Sequence, residues 1–303
     1  MKRERIRVIV NPAAGRGRGA RMTPEIHAAF AGVGASDVRT TAAAGDELRL
    51  ASEAIAEGCT TLVAVGGDGV AANVANAILR SHADTRLAVI GAGTGNDFAR
   101  LLGTDGIGAH AVAALCALAS ETRVDVGRVE DVFFLNSCGF GFDVAVVEGI
   151  ARTRWLRGSS VYLYTALREL FAYSGITVAV GSEGSRRQPA RHLLLAIANG
   201  ARFGGGFEIA PGASVSDGKL DAVSILDAAP ARRLALLAAA RKGRHTAYPE
   251  CVIERSAEFE VAFDKPPHYE ADGELHRARS ATLRISSCPS ALRVVAGPRV
   301  QLA

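Results

Sequence analysis

The sequence has little to support a disulfide framework or a structural zinc site. Its five cysteines (Cys59, Cys116, Cys138, Cys251 and Cys288) are odd in number, widely spaced and never paired as CxxC, which suits a reducing compartment. Long apolar runs are also missing. Met1 to Val10 carries charges and no long apolar stretch before Asn11-Pro12, so no signal peptide is expected. The longest apolar stretch of the C-terminal half, Leu234 to Ala240, lies between Arg233 and Arg241. It falls far short of the ~20 residues that cross a bilayer. Lysine is scarce: Lys2, Lys219, Lys242 and Lys265 are the only four among 35 basic residues. With the abundance of Ala, this fits a GC-rich genome better than a function. The formal net charge is only +4, so composition makes no demand for nucleic acid as a partner.

What is present reads as folded protein. The chain has 303 residues, 49% of them hydrophobic, enough for one large domain or two. Ile6–Val10, Val38–Thr41, Thr61–Val65 and Leu87–Ile90 read as short β-rich runs, separated by helical stretches such as Leu48, Ala51, Ile55 and Ala71 to Leu79. Such alternation predicts a doubly wound parallel α/β domain, covered on both faces. After Asp125 the texture changes to β runs at Val132–Ser137, Ile176–Val180, His192–Ala198, Leu220–Leu226, Phe259–Phe263 and Ala281–Ile285. They predict a mostly antiparallel β-sandwich domain, with helical insertions near Ser159–Tyr173 and Pro230–Lys242. The expected division is 1–125, 126–290, and a segment 291–303 able to return to the first domain.

Two glycine clusters follow strands. In Gly66-Gly67-Asp68-Gly69 the glycines let backbone N–H groups approach phosphate oxygens at the start of a helix. Taken alone, this could be a tight turn with a capping Asp. The second cluster is Gly93-Thr94-Gly95-Asn96-Asp97-Phe98-Ala99-Arg100, and Asn11 to Gly15 offers a third such loop. Two familiar patterns fail. Gly218-Lys219 is followed by Leu220, so no P-loop exists, and Asn96 breaks the GxGxxG spacing of dinucleotide folds.

With these motifs assembled, the chain resembles the diacylglycerol kinase catalytic domain family, which includes bacterial soluble lipid kinases and is shared with sphingosine and ceramide kinases. The likeness continues through Val124-Asp125-Val126-Gly127, Ala198-Asn199-Gly200, Gly204–Phe207, Ser216-Asp217-Gly218-Lys219-Leu220-Asp221 and Ala271-Asp272-Gly273-Glu274. It therefore spans nearly the whole chain in order.

The resemblance implies an ATP-dependent transfer of phosphate to a hydroxyl lipid such as diacylglycerol. Asn11, Pro12, Ala13, Ala14, Gly15 and Thr41 would touch ATP, as would Gly66, Gly67, Asp68, Gly69, Val70, Ala71, Ala72 and Thr94. Asp68, Asn96 and Asp97 would line the phosphates and a catalytic Mg²⁺, with Asp125 acting through water. Asp217 would help hold a second, structural Mg²⁺, with Ser214 and Lys219 contributing by position through backbone carbonyls. Glu274 matches the family's proton acceptor, with Asp272 beside it. Taken alone, Asp272 and Glu274 could be two acids flanking the Gly of a hairpin turn, and Asp217 an ordinary Asp-Gly turn. Such an inventory suits phosphoryl transfer, which asks for positioning and charge neutralisation. One departure stands out: the family usually places a hydroxyl residue after GGDG, and here Val70 occupies that position.

Arg152-Thr153-Arg154-Trp155-Leu156-Arg157, followed by Val161, Tyr162, Leu163 and Tyr164, mixes cations with interfacial aromatics. That suits transient contact with an anionic membrane surface and, for a cytoplasmic protein, peripheral association with the inner face; an ordinary helix end with a core stripe reads the same way. His245 reads as structural. Self-association into a homodimer is left open by the sequence. Two rival functions remain: a soluble-substrate kinase, since NAD kinases share GGDG, and a catalytically weak nucleotide-binding regulator.

Overall fold

The computed structural model describes residues 4–152, 165, 168–183, 185–186 and 188–302. The chain divides into two compact units, one of Met1–Val126 with Pro289–Ala303 and one of Gly127–Cys288.

In the first unit, β1 (Ile6–Val10), β2 (Asp37–Thr40), β3 (Thr61–Gly66) and β4 (Arg86–Gly91) are parallel, in the order β2-β1-β3-β4. Every residue of β1, β3 and β4 is buried, as expected of a parallel sheet covered on both faces. Five helices accompany it: α1 (Ala14–Ala31), α2 (Asp46–Ala56), α3 (Asp68–Ser81), α4 (Asp97–Leu101) and α5 (Ala109–Ala117). Side chains alternate across a strand, and that alternation divides the core. Val8, Val10, Val63, Val65, Ala88 and Ile90 pack with Ile26 and Phe30 of α1 and Val112 and Cys116 of α5. On the opposite face α2 and α3 meet each other and contact β1 and β3 respectively. Strand β5 (Glu121–Val129) leads out of this unit.

Among the described residues, every strand pair of the second unit is antiparallel. Its strands are β6 (Val132–Phe134), β7 (Ser137–Gly141), β8 (Ile176–Ser182), β9 (Ser185–Arg186), β10 (Ala190–Ala198), β11 (Leu220–Leu226), β12 (Cys251–Ser256), β13 (Glu258–Phe263), β14 (His268–Ala271) and β15 (Glu274–Arg277). Strand β16 (Thr282–Val295) pairs with β13 and then returns to the first unit, where Val294 aligns with Leu87. The helices are α6 (Phe142–Arg152), a helical stretch at 168–172, and α7 (Pro230–Ala240). Strand β10 is central. It pairs with β7 and β11 along Leu194–Ala198 and with β8 at Ala190–His192, with a bulge between. Leu195 and Ile197 enter one core with Phe140, Phe259 and Tyr269. Leu194, Ala196 and Ala198 enter another, with Phe142, Leu236 and Ala240. Burial on both faces explains why β10 reads as a continuous apolar run rather than an alternating one.

The structure departs from the sequence reading in particular places. Val132–Ser137 is not one strand. It breaks at Leu135 and Asn136, whose N–H groups go to the Asp272 carboxylate instead of a sheet partner. Helix α6 and strands β12, β14 and β15 were not anticipated. His245 is fully buried with Nε2 bonded to the Ile209 carbonyl at 2.9 Å, in keeping with a structural role. The aromatic and cationic segment from Thr153 to Tyr164 lies outside the described residues. Among the described residues, no helix is long and apolar enough to cross a membrane.

Candidate functional site

Parallel strands deliver their following loops to one sheet edge. The loops after β1, β3 and β4 are the three glycine segments. Their backbones touch. The Gly66 carbonyl accepts from Ala92 N–H at 2.8 Å and Gly93 N–H at 3.2 Å. A Cβ on Gly93 would lie 2.5 Å from Gly67 Cα, and one on Gly15 only 2.0 Å from the Ala92 carbonyl oxygen. Glycine is therefore a packing requirement at these contacts. Gly15, Arg16 and Gly17 are all left-handed, so the chain turns before α1 becomes regular.

Asn11 anchors the first loop: its Oδ1 accepts from Ala13 N–H and its Nδ2 donates to Glu47 Oε1, each at 3.0 Å. Glu47 is buried and its Oε2 has no hydrogen-bond partner. The sequence motifs do not single out Glu47. Pro12 and Ala14 are half-buried in the same loop, Ala13 is exposed, and buried Thr41 donates its N–H to Val10 at the end of β1.

Asp68 opens α3 and reaches the loop after β4. Its Oδ1 accepts from Phe98 N–H at 3.1 Å, and the N–H groups of Asp97 and Asn96 also serve its carboxylate. Burial pushes this carboxyl up, and the Phe98 N–H partly opposes that shift. Asn96 is buried and left-handed. It takes the N–H of Gly93 on Oδ1 at 2.9 Å and donates to Asp105 at 3.3 Å. Buried Asp97 pairs with Arg100 at 3.0 Å. Thr94 is exposed at the loop tip. Asp125, buried on β5, accepts from Ser290 N–H at 2.7 Å and so ties β5 to the returning tail. Gly67 and Gly69 are half-buried, whereas Val70, Ala71 and Ala72 turn into the protein. Val70 packs where a Gly66 side chain would be, its Cγ2 2.4 Å from that position. Only the backbone of 70–72 is available to a ligand.

In the second unit, Asp272 and Gly273 join β14 to β15 with φ of 48° and 88°, the double left-handed geometry of a two-residue hairpin. Asp272, expected among the catalytic acids, has both oxygens on backbone. Oδ2 accepts from Leu135 N–H at 2.6 Å, and Oδ1 from Asn136 and Ser137 at 2.8 and 3.3 Å. It positions the hairpin. Glu274 is exposed at the start of β15.

Two models of known families match the chain. The diacylglycerol kinase catalytic domain covers residues 5–129, and the YegS C-terminal NAD kinase beta sandwich-like domain covers 136–296. A curated protein of Pseudomonas aeruginosa named "Probable lipid kinase YegS-like" is 36% identical over 85% of this chain and 83% of its own. The chain belongs to the diacylglycerol kinase catalytic domain family. A Mycobacterium tuberculosis protein named "Diacylglycerol kinase" is 28% identical over 96% of this chain and 94% of its own. A diacylglycerol kinase structure from Bacillus anthracis str. Sterne superposes with a TM-score of 0.72 at 20% identity, covering 99% of both chains. At that identity it supports the fold alone. Membership makes the protein one of a family of lipid kinases, for which ATP is the implied phosphate donor.

In this family member the two expected cation sites differ. Asp68 is a half-buried oxygen donor at the head of a glycine loop, and Mg²⁺ is commonly held by one or two carboxylates with substrate phosphates and water. That donor fits. In the loop of Ser214, Asp217 and Lys219, the Asp217 carboxylate and the Ser214 hydroxyl already have protein partners. Asp217 Oδ1 accepts from Lys219 N–H at 3.0 Å, and Ser214 Oγ lies 3.1 Å from Ser216 Oγ. Arg255 already supplies a cation there, 4.0 Å from Asp217 Oδ2, 3.1 Å from Asp221 Oδ1, and bonded to the Gly212 carbonyl. Among the described residues no cluster of three or more His, Cys, Asp and Glu side chains is arranged to hold a metal.

Proposed function

We propose that this protein transfers the γ-phosphate of ATP to the hydroxyl of diacylglycerol or a related lipid. The observation that carries this reading is the contact of the three glycine loops at one sheet edge, with Asp68 bridging two of them. It is supported by the match to lipid kinases along most of the chain.

In this reading Asn11 to Gly15, Thr41, Gly66 to Ala72 and Thr94 bind ATP, chiefly through backbone N–H groups, which suit phosphate oxygens. Mg²⁺, when bound, neutralises charge on the β- and γ-phosphates, and Asp68 with Asp97 would hold it. Asn96 and Asp125 keep the loop after β4 and strand β5 in place. Glu274 orients the lipid hydroxyl and takes its proton as the new phosphorus–oxygen bond forms and the bond from the γ-phosphorus to the departing ADP breaks, and Asp272 positions the hairpin that carries it. The lipid is reached from a membrane surface, with the protein on the inner face.

The rival with an observation behind it is phosphorylation of a soluble dinucleotide, since the second unit matches a model named for an NAD kinase beta sandwich. Labelled ATP offered with mixed micelles of diacylglycerol, ceramide or sphingosine, and separately with NAD, separates the readings. Label in a lipid supports the proposal. Label in NAD alone supports the rival, and turnover with neither points to a nucleotide-binding regulator.

A further inference from the structure

Behind the hairpin that carries Glu274 lie two more acids, on neither of which the sequence placed any role. Glu270 is on β14 and almost wholly buried. Its Oε2 accepts the N–H of Gly273 at 2.7 Å, the residue before Glu274. Its Oε1 is buried and has no hydrogen-bond partner among the described residues. Asp143 opens α6. Its Oδ1 accepts from its own neighbour Val144 N–H at 2.8 Å, and its Oδ2 is likewise buried without a partner among the described residues.

The two unpartnered oxygens crowd one spot. Gly139 of β7 is the residue opposite Glu270 in the sheet. A Cβ on Gly139 would lie 1.6 Å from Asp143 Oδ2 and 2.9 Å from Glu270 Oε1. The glycine thus leaves the space in which the two carboxyl groups meet. Among the described residues, Asp272, Cys138 and Tyr173 are the other titratable groups whose charge acts on them or feels theirs, and none is a cation. Two bare carboxylates in such a place repel each other and lose their hydration together. One proton removes both problems, because a carboxylic O–H on one acid donates to the free oxygen of the other. Paired catalytic carboxylates share a proton for the same reason.

We propose that Asp143 and Glu270 hold one proton between them, and that this pair is the positioning device for the Gly273–Glu274 turn. This rests on the role of Glu274 proposed above. The device complements Asp272. Asp272 as a carboxylate takes three N–H groups on one side of the turn, while the Asp143–Glu270 pair fixes Gly273 from the other. Loss of the shared proton would push the acids apart and release Gly273.

The sign of the pH effect follows from the direction of the shifts. Burial raises both carboxyls, Asp143 to about 7, with the charge of Asp143 adding to the rise at Glu270. A group whose folded pKa is raised lends stability that is complete below the unfolded value near 4 and is lost as pH climbs through about 7. The test is thermal melting of the full chain from pH 5 to 8.5, with wild type, Asp143→Asn, Asp143→Ala and Glu270→Gln, alongside lipid phosphorylation over the same range. The wild-type melting temperature is expected to fall by roughly 5 °C between pH 6 and 8. Asp143→Asn and Glu270→Gln flatten that fall, since a carboxamide N–H donates at every pH. At pH 8 Asp143→Asn melts above Asp143→Ala, which leaves Glu270 alone with its charge. The turnover number falls on the same alkaline limb in wild type only, with the KM for ATP unchanged. Parallel melting curves in wild type and both amide variants overturn the shared proton. Flattened melting with an unmoved turnover limb overturns its coupling to Glu274. If the wild type phosphorylates no lipid, the proposed function fails, and the melting curves still decide the proton.

Discussion

Replacing Asp272 separates a positioning acid from a catalytic one. In Asp272→Ala, three buried N–H groups, of Leu135, Asn136 and Ser137, lose their acceptor. An unsatisfied buried donor costs roughly 1–3 kcal/mol, and alanine in the left-handed region that Asp272 occupies, φ 48°, adds about 1 kcal/mol. Partial relaxation of the 135–137 segment makes a total of about 4 kcal/mol reasonable. At roughly 2–4 °C per kcal/mol for a unit of this size, the melting temperature should drop by about 10 °C. Asp272→Asn keeps one oxygen acceptor and tolerates the left-handed backbone, so it should cost only about 1–2 kcal/mol, or about 4 °C. Circular dichroism melts of wild type and both variants, with turnover measured well below each transition, provide the assay. An Asp272→Ala protein that melts within about 2 °C of wild type yet loses its turnover would refute the reasoning and move Asp272 back among the catalytic groups.

Gly93→Ala forces a methyl to 2.5 Å from Gly67 Cα, and isothermal titration should show at least a roughly tenfold weaker affinity for Mg·ATP; an unchanged affinity would mean that loop contact does not shape the nucleotide site. Val70→Thr restores the family's hydroxyl in a buried place against Gly66, so stability in urea should fall by roughly 1–3 kcal/mol, and no loss would mean the hydroxyl finds a partner. Glu274→Gln should lower the turnover number ~10²–10⁴-fold with the KM for Mg·ATP and the melting temperature unchanged, whereas Asp68→Asn raises that KM. The reverse pattern exchanges their roles. Mg²⁺ should stabilise Arg255→Met in melting experiments and leave nucleotide-free wild type unmoved, and a Mg²⁺-dependent rise in wild type that Asp217→Asn abolishes would show the loop binding a cation beside Arg255.

The first unit was legible because its signals are local. Ile6–Val10 and Thr61–Gly66 are buried on both faces and read as plain β-branched runs, and each ends at the glycines whose packing the structure explains. The missed strands failed for the opposite reason. In β12 and β15, charged residues such as Glu254, Arg255 and Arg277 break up the apolar pattern, and a hairpin of acids around Asp272-Gly273 resembles an exposed turn. Site residues divide in the same way. Asp68 and Glu274 lie in motifs that can be read in a line. Glu47, Asp105, Asp143 and Glu270 act through partners 36, 9, 127 and 3 residues away at Asn11, Asn96, Glu270 and Gly273, and for the longest of those distances no local spacing carries a signal. Val70 shows the limit of a motif comparison: it stands where the family usually has a hydroxyl residue, and its side chain faces inward at Gly66.

The most direct measurement is identification of the phosphorylated product. Purified protein is incubated with ATP, Mg²⁺ and mixed micelles of diacylglycerol, with NAD present in the same reaction, and the products are separated and weighed by mass spectrometry. The account predicts phosphate on the lipid hydroxyl, formed in step with ADP, absent without ATP and reduced ~10²–10⁴-fold in Glu274→Gln. Phosphorylated NAD with unmodified lipid, or lipid phosphate formed equally well by Glu274→Gln, would contradict it.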